Sequence, residues 1–326
     1  MISIEKLPHQ FYLYLRDDYR EKLFQKVRNR LGSWSSVLKA LNVNYSTLYS
    51  MRNGLDYHRT GKYRGGKTFI NAVDLRELSY LSDSDLREVE NNISAVKLQT
   101  GKAPHIGLPL RPSPQLASLV GHALGDGHIK SNYEFVYVSK DDCLGNNVAT
   151  FGKNVFGLSK IIKTNSASGV KRIYFPRIVG RFLCLAGAIR GNKTLQSFAT
   201  PNWIKNGSNE IKRAFLRALY DDEACVRASK NSNDITFVMC KHEELITSLE
   251  GFLEELKHLL NEFKIRTGQM LLRARYGDKE GRQKVEMGFT ICGKWNLVAF
   301  QKEIGFCHPN KSRKLNNAIH SYTYNV

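Results

Sequence analysis

Hydrophobic and polar positions in residues 111–326 follow one pattern that occurs twice, as repeat one (111–200) and repeat two (201–326). Apolar runs with helical spacing alternate with short runs rich in β-branched and aromatic side chains, which favour strands. Repeat one predicts, in order, a helix that ends at Asp126, a strand at Tyr133–Val138, a helix at Asp141–Phe156, a hairpin over 161–175 and a helix at Ile178–Ala188.

Repeat two predicts the same order of elements. They are a helix that ends at Glu223, strands at Cys225–Ser229 and Ile235–Cys240, a helix at Glu243–Phe263, strands at Met270–Tyr276 and Val285–Ile291, and a helix at Lys294–Ile304. A single order of helices and strands that occurs twice predicts an α+β fold, a duplicated αββαββα domain with pseudo-twofold symmetry.

Residues 1–60 differ, because the spacing of their apolar residues predicts helices alone. Three short helices are predicted, at Glu21–Leu31, Ser33–Leu41 and Tyr45–Met51. The sequence therefore predicts a small all-α domain at 1–60. The glycine- and proline-containing stretch 61–110 is predicted to be a connector, with a domain boundary near 105–112.

The second and third predicted helices of this domain, joined by the turn Asn42–Asn44, resemble a helix-turn-helix. Such a motif reads DNA with its second helix, which would offer Tyr45, Thr47 and Arg52 to a groove. The residues just beyond it that would suit contact with the DNA backbone are His58, Arg59, Lys62, Tyr63 and Arg64. A plain three-helix cap without a DNA-binding role is the alternative.

The excess of basic over acidic residues indicates what the protein binds. The chain has 49 Lys and Arg against 30 Asp and Glu, a net charge of +19, while 42% of its residues are hydrophobic and can form a sizeable core. A positive field of this kind attracts polyanions, so nucleic acid is the expected partner, although a merely soluble basic protein has the same composition.

The six cysteines and the apolar runs bear on the cellular compartment. No cysteines form a C-x-x-C pair, so they are predicted to be free thiols in a reducing compartment. No signal peptide and no apolar run long enough to cross a membrane is present. The sequence predicts a cytoplasmic, soluble protein, and without a Cys or Ser at position 1 and a terminal His-Asn it predicts no intact intein.

Two short motifs carry the candidate chemistry, Leu119–Gly127 and Leu216–Ala224. Each is an apolar, helix-like run with a small residue third and a carboxylate eighth, Asp126 in one and Glu223 in the other. The helix dipole disfavours an acid at this end of a helix, so two such acids call for a compensating cation. Each acid taken alone could also be an ordinary solvated helix end.

These motifs resemble those of the LAGLIDADG homing endonuclease family, the single-chain type with two motifs. The first has the common G-D-G ending and the second the common D-x-E ending, except that Ala224 stands where glycine is usual. Flanking segments resemble the family as well: Leu108–Leu110, Pro201–Ile204, Ile211–Leu216, Gly191–Thr194, Ile304–Phe306 and Asn310–Leu315.

The resemblance implies a fold and a metal site. The two motif helices would pack side by side, with Gly121 and Ala218 permitting close approach. Asp126 and Glu223 would then meet beneath a DNA-binding saddle and hold Mg²⁺, with Mn²⁺ as a substitute, because oxygen ligands and a phosphate substrate favour such ions. The metal would activate water and stabilise the leaving oxygen.

Basic residues would complete the site and the DNA surface. Lys193 and Lys311 occupy equivalent places in the two repeats and would act near the scissile phosphates, although both could be ordinary surface lysines. The predicted hairpins would form the floor of the saddle and contact DNA. Their candidate residues are Lys171 and Arg172 in repeat one, and Arg273, Arg275, Arg282 and Lys284 in repeat two.

The resemblance therefore implies a monomeric, Mg²⁺-dependent endonuclease that cuts double-stranded DNA at a long specific site, as in intron homing. Two alternatives use the same scaffold. One is a DNA-binding transcription regulator that does not cleave, and the other is an RNA-binding intron maturase.

Overall fold

The computed structural model describes residues 1–57, 63–99, 104–165, 169–229, 232–278 and 280–322. The chain divides into two compact units, one of Met1–Arg111 with Phe156–Ser159 and the other of Pro112–Val155 with Lys160–Val326. His58, Arg59 and Lys62 lie outside the described residues, as do the side chains of Tyr63 and Arg64.

The first unit mixes helices with short strands. In chain order these are β1 (Phe11–Leu15), α1 (Asp17–Leu31), α2 (Trp34–Leu41), α3 (Tyr45–Asn53), β2 (Leu55–Tyr57), β3 (Tyr63–Lys67), β4 (Ile70–Asn71), α4 (Ala72–Leu81), α5 (Leu86–Asn91) and β5 (Ile93–Leu98). Strand β1 is the centre of a three-stranded antiparallel sheet of order β4-β1-β5, and β2 pairs with β3.

The prediction of an all-α domain at 1–60 and a connector at 61–110 is wrong. Strand β1 pairs with residues more than 50 positions later, for example Leu13 with Ile70 and with Val96. A local search for helical periodicity cannot detect such a strand, because its partners lie in the stretch that was assigned to the connector. The helices α1, α2 and α3 are present where the sequence predicts them.

Local caps fix where α2 and α3 begin and end. Ser33 accepts a hydrogen bond from the N–H of Ser36 at the start of α2, and Asn44 does the same for Thr47 at the start of α3. Such side chains satisfy N–H groups that a helix leaves unpaired. Gly54 ends α3 in the left-handed conformation at φ 67°, which glycine adopts without strain.

Repeat one of the second unit has the predicted αββαββα order. Its elements are α6 (Pro114–Leu124), β6 (His128–Ile129), β7 (Phe135–Ser139), α7 (Asp142–Phe156), β8 (Ile162–Asn165), β9 (Lys171–Phe175) and α8 (Arg177–Leu185). The strands form a four-stranded antiparallel sheet of order β6-β7-β9-β8.

Repeat two follows the same order and adds two helices. Its elements are α9 (Asn202–Lys205), α10 (Asn209–Glu223), β10 (Ala224–Ser229), β11 (Ser232–His242), α11 (Ile246–Glu262), β12 (Leu271–Gly277), β13 (Gln283–Cys292), α12 (Lys294–Glu303) and α13 (Pro309–Ser321). Its sheet has the order β10-β11-β13-β12, which corresponds strand for strand to the sheet of repeat one. The duplicated αββαββα fold is thus confirmed.

Each sheet has one apolar face and one more polar face. In repeat two, Phe237 lies opposite Phe289 and Ile235 opposite Ile291, and all four are fully buried. Their neighbours along the strands, such as Thr236 and Glu286, point to the other face because side chains alternate in a strand. We call this second side the open face of each sheet.

Within the described residues, no helix combines the length and apolarity that crossing a membrane requires.

Candidate functional site

The two motif helices, α6 and α10, lie against each other at the junction of the repeats. A Cβ atom on Gly121 would lie 2.8 Å from Cβ of Ala218 and 2.9 Å from the carbonyl oxygen of Phe215. Separations this short leave room for hydrogen alone, so glycine at 121 and a small residue at 218 permit the contact. Both residues are buried where the helices meet.

The two predicted carboxylates come from the ends of these helices. Glu223 is the last residue of α10, whereas α6 ends at Leu124 and Asp126 follows two residues later. The backbone N–H of Asp126 donates to the carboxylate of Asp222, the residue directly before Glu223, at 3.1 Å. The structure therefore brings together the ends of the two motifs, which carry Asp126 and Glu223.

Both carboxylates titrate far above their usual range. Burial, opposed by Lys193 and supported by the charge of Asp126, raises the pKa of Glu223 to about 7. Asp126 still touches solvent, but the surrounding protein removes part of its hydration and, with the charge of Asp222, raises its pKa to about 6. A cation between these two carboxyl groups would stabilise their ionised forms and lower both pKa values.

A third carboxylate, Asp222, lies beneath the pair and is fully buried. Its oxygens accept hydrogen bonds from Tyr137 Oη at 2.8 Å, from the backbone N–H of Asp126 at 3.1 Å, and from His122 Nδ1 at 3.0 Å. Burial alone would lower the pKa of His122, but the negative charge of Asp222 reverses this and raises it. When protonated, the imidazole forms a buried charge pair with Asp222.

The predicted lysines flank the carboxylates symmetrically. Lys193 Nζ donates to the carbonyls of Leu124 at 3.0 Å and Gly127 at 2.8 Å, where α6 ends. Lys311 Nζ donates to the carbonyl of Tyr220 at 3.2 Å, in the last turn of α10, and to that of Asp221. Each lysine therefore satisfies carbonyls that a helix leaves unpaired, and places a positive charge there.

Burial lowers the pKa of both lysines, and the nearby carboxylates oppose this shift. For Lys193 the opposing charges are chiefly those of Glu223 and Asp222. For Lys311 they are chiefly those of Asp221 and Asp222. The arrangement is therefore a compact mixture of opposite charges. Lys193 and Lys311 thus place two ammonium groups at the helix ends beside Asp126 and Glu223.

The protein supplies only some of the oxygen ligands that a hard divalent cation needs. Among the described residues, no group of three or more His, Cys, Asp or Glu side chains is arranged to hold a metal ion. Mg²⁺, however, is commonly held by one or two carboxylates together with water and substrate phosphates. Asp126 and Glu223 fit that description, with the remaining positions open to a phosphate.

Gly127 and Ala224 stand at equivalent places at the ends of the two motifs. Neither residue has a positive φ, and Ala224 is extended at φ −86°. Gly127 is needed for space instead, because a Cβ there would lie 2.5 Å from the carbonyl oxygen of His122. Ala224 therefore adopts its position without backbone strain.

The DNA-contact candidates of repeat one lie on different faces of the sheet. Arg172 pairs with Val138 and Thr164 on the open face and is exposed. Lys171, one residue earlier, falls on the opposite face and forms an ion pair with Asp142. The prediction that both residues contribute to one DNA-facing surface is wrong for Lys171, because neighbours in a strand point in opposite directions.

The candidates of repeat two are also divided. Lys284 pairs with Tyr276 on the open face, whereas Arg275 pairs with the buried Val285 on the other face and lies 3.4 Å from Glu243. Arg273 lies at a register shift in β12, which interrupts the alternation of side chains between the two faces of the sheet. Arg282 precedes β13 and contacts Glu280.

The candidates of the first unit, Tyr45, Thr47 and Arg52, all lie on α3. The Arg52 guanidinium lies 4.7 Å from the ring centre of Trp34 and 5.7 Å from that of Tyr49. Tyr45 is 67% exposed and Thr47 is exposed as well. The exposed face of α3 is thus available to a partner.

Asp222, His122 and Tyr137 were missed at the sequence level. The signal was present for two of them, because a histidine stands inside an otherwise apolar motif helix and a second acid directly precedes Glu223. Tyr137 gave no such signal, since an aromatic residue in a strand is ordinary. Only the packing of the helices brings the three together.

These features define a duplicated α+β protein with a two-carboxylate site at the junction of its repeats. Residues 210–305 match the family model of the LAGLIDADG-like domain, from the second motif helix to the end of α12. The likeness to the LAGLIDADG family is therefore confirmed over this part of the chain.

Several curated proteins are similar to a large part of this chain. An RNA polymerase subunit Rpo1N of Methanocaldococcus jannaschii is 26% identical over 64% of this chain and 17% of its own length. RtcB tRNA-splicing ligases of Pyrococcus abyssi and Methanopyrus kandleri are 25% and 23% identical over 61% and 76% of this chain. The chain spans only 17% to 26% of the length of these relatives.

Two solved structures show a distant likeness. The homing endonuclease I-DmoI, in complex with DNA and Ca, is 14% identical with a TM-score of 0.41, covering 62% of this chain and 97% of its own. WhiA from Thermatoga maritima is 12% identical with a TM-score of 0.38, covering 64% of this chain and 60% of its own.

Proposed function

We propose that this chain is a sequence-specific endonuclease that hydrolyses both strands of double-stranded DNA with the help of Mg²⁺. The observation that carries the proposal is the meeting of Asp126 and Glu223 at the ends of two tightly packed motif helices. Each of these helix ends also receives a lysine, Lys193 on one side and Lys311 on the other. A site with one acid and one lysine from each repeat suits a substrate with two equivalent strands.

The residues divide the work of hydrolysis between them. Asp126 and Glu223, once deprotonated, would hold the cation; when bound, it supplies an activated water and charge stabilisation for the leaving oxygen. Lys193 and Lys311 would offset the negative charge that develops on the phosphates in the transition state. Asp222 keeps the Asp126 backbone in place through its N–H.

The open faces of the two sheets are the proposed DNA surface. Arg172 and Lys284 lie on these faces, and Arg273 and Arg282 occupy the exposed hairpin of repeat two. The net charge of +19 would attract the duplex at a distance. Basic side chains on the strands would then contact phosphates and base edges.

The pattern of relatives supports an activity carried by this segment alone. Proteins named as a polymerase subunit, an RNA ligase, an aminotransferase and a replication factor all resemble it, each over less than a third of its own length. The names of these four proteins have no activity in common. A self-contained endonuclease domain accounts for its presence in proteins of unrelated function.

The test is cleavage of a plasmid library of random target sites by the purified chain with Mg²⁺ or Mn²⁺. We expect linear product with a defined end sequence, and none with Asp126→Asn or Glu223→Gln, while binding of the selected site persists. Lys205→Met serves as a control, because Lys205 pairs with Glu255 and takes no part in the site. Failure to cut any site in the library would overturn the proposal.

A second candidate is a DNA-binding regulator that does not cleave. It is favoured by the exposed face of α3, which has the form of a recognition helix. Tight, site-specific binding that Asp126→Asn leaves unchanged, with no nicking by the wild-type protein, would support it. Stronger binding to RNA than to duplex DNA in the same assay would favour the RNA-binding alternative, and sedimentation would test the expected monomer.

A further inference from the structure

The ammonium group of Lys241 is buried and serves none of the roles described so far. Lys241 lies in β11 of repeat two, on the face that packs into the core, and is 2% exposed. Its Nζ donates to the carbonyl of Lys193 at 2.5 Å and to the carbonyl of Gln196, and it lies 3.6 Å from the centre of the Phe198 ring. Two carbonyl oxygens and an aromatic ring thus surround the ammonium group.

Burying a charged group at this position costs free energy. Burial and the nearby charge of Lys193 lower the pKa of Lys241 to about 8. Within the part of the chain that the structure describes, Lys241 has no carboxylate partner, so backbone carbonyls and an aromatic ring stabilise it instead. A fold that needed only to fill this space would do so better with an apolar side chain.

The three groups that surround Lys241 belong to the other repeat. They lie in the segment 193–198, which follows α8 and carries the lysine that caps α6. A chain of contacts therefore runs from β11 of repeat two through the carbonyl of Lys193 to its own Nζ, and from there to the end of α6 beside Asp126. A residue of repeat two thus fixes the position of Lys193, which belongs to the half of the site that repeat one contributes.

The opposite half is held differently. The carboxylate of Asp221 accepts hydrogen bonds from the N–H groups of Cys307 at 3.1 Å and His308 at 2.9 Å, and His308 lies three residues before Lys311. Repeat two therefore anchors its own lysine with its own motif helix. The matching position in the first motif is Leu124, which has no side-chain oxygen to offer.

We propose that Lys241 is a positioning residue that replaces this missing anchor by holding Lys193 beside Asp126. The two halves of the site are then maintained by different means, one within its repeat and one across the junction. The inference rests on the proposed endonuclease activity. Losing Lys241 would impair only the half of the site that contains Lys193, and hence the cutting of one DNA strand.

The experiment compares strand-specific nicking of an end-labelled duplex by Lys241→Met, Lys193→Met and Lys311→Met. Methionine fills the same space without the charge, which keeps the core packed. We expect Lys241→Met to slow the strand that Lys193→Met slows, by roughly 10- to 100-fold as for a misplaced catalytic group. The other strand should be cut at the wild-type rate, and Lys311→Met should show the reverse preference.

Lys205→Met again controls for the loss of a lysine that pairs outside the site. A Lys241→Met variant that cuts both strands at the wild-type rate, or slows both equally, would overturn the inference. A loss of stability alone would act on both strands, so the strand preference separates positioning from a structural role.

A second measurement does not depend on cleavage. Amide hydrogen exchange of the DNA-free protein should become faster over 192–198 in Lys241→Met, while 307–312 keeps its wild-type rate. Unchanged exchange over 192–198 would contradict the inference. Should the wild-type chain cut no site, the proposed function would fail, and the exchange result would still decide the role of Lys241.

Discussion

The carboxylate of Asp222 accepts a hydrogen bond from the backbone N–H of Asp126 at 3.1 Å, across the junction of the two repeats. The first motif cannot return this contact, because the residue that corresponds to Asp222 is Gly125. A Cβ on Gly125 would lie 2.5 Å from an oxygen of Asp222, so the glycine makes room for the acid. The pseudo-twofold symmetry is therefore broken directly beneath the proposed metal ligands.

Replacing Asp222 by Asn should weaken both the fold and the site. The amide keeps the shape but removes the charge that pairs with the buried His122, at a cost of roughly 1–3 kcal/mol in unfolding free energy. Cleavage should slow by about 10- to 100-fold, since the backbone of Asp126 loses its anchor. Urea denaturation and cleavage rates would check this, and Tyr137→Phe, which removes one neutral hydrogen bond to Asp222, should have a smaller effect on both.

Gly125→Ala should destabilise the protein because its Cβ meets Asp222. Overpacking of this kind typically costs about 1–3 kcal/mol. The double variant Gly125→Ala with Asp222→Ala should recover part of that loss, which a thermal denaturation series would reveal as non-additivity. Gly251→Ala is the matched control: Gly251 is exposed inside α11 with open space around its Cβ position, so alanine there should stabilise by roughly 0.5–1 kcal/mol.

The raised pKa values predict a stability that depends on pH. Asp126 and Glu223 have folded pKa values of about 6 and 7 against usual values of 3.8 and 4.5. Between these limits the folded state holds more protons than the unfolded state, so the stabilisation is complete below about pH 4 and is lost as the pH rises through 6 to 7. Without metal, stability should therefore fall over this range.

Glu223→Gln tests the origin of that dependence. The neutral amide should make the metal-free protein more stable than wild type at pH 8, by roughly 1–3 kcal/mol, and confer no advantage at pH 4. Mg²⁺ should raise the melting temperature of the wild-type protein at pH 8 but not of the variant. Equal pH profiles for the two proteins would show that Glu223 is not the group responsible.

The first unit should contribute DNA affinity without affecting the chemistry. Arg52→Ala removes a cation that packs on Trp34 beside the exposed face of α3. We expect weaker binding, with the slope of log K against log salt reduced by about 1, and an unchanged cleavage rate at saturating DNA. Lys22→Ala, which removes an exposed charge from α1 of the same unit, is the control and should change affinity less.

The parts of the fold that were predicted are those with local patterns. Helix α11 showed its amphipathic spacing in sequence, and the strands β11 and β13 showed their β-branched and aromatic residues. Strand β1 was missed because its identity depends on partners far along the chain. The candidate site followed the same division, since the motif acids stood out while Tyr137 did not.

The sequence by itself determined the repeated order of elements, the two motif helices and the acids at their ends, because apolar periodicity and short motifs are local properties. Tertiary structure alone decided which residues support those acids. Asp222 and Lys241 each act across the junction of the repeats, where distant segments meet. The faces of Lys171 and Arg275 were likewise decided by strand register, because a shift of one residue turns a side chain to the other side of the sheet.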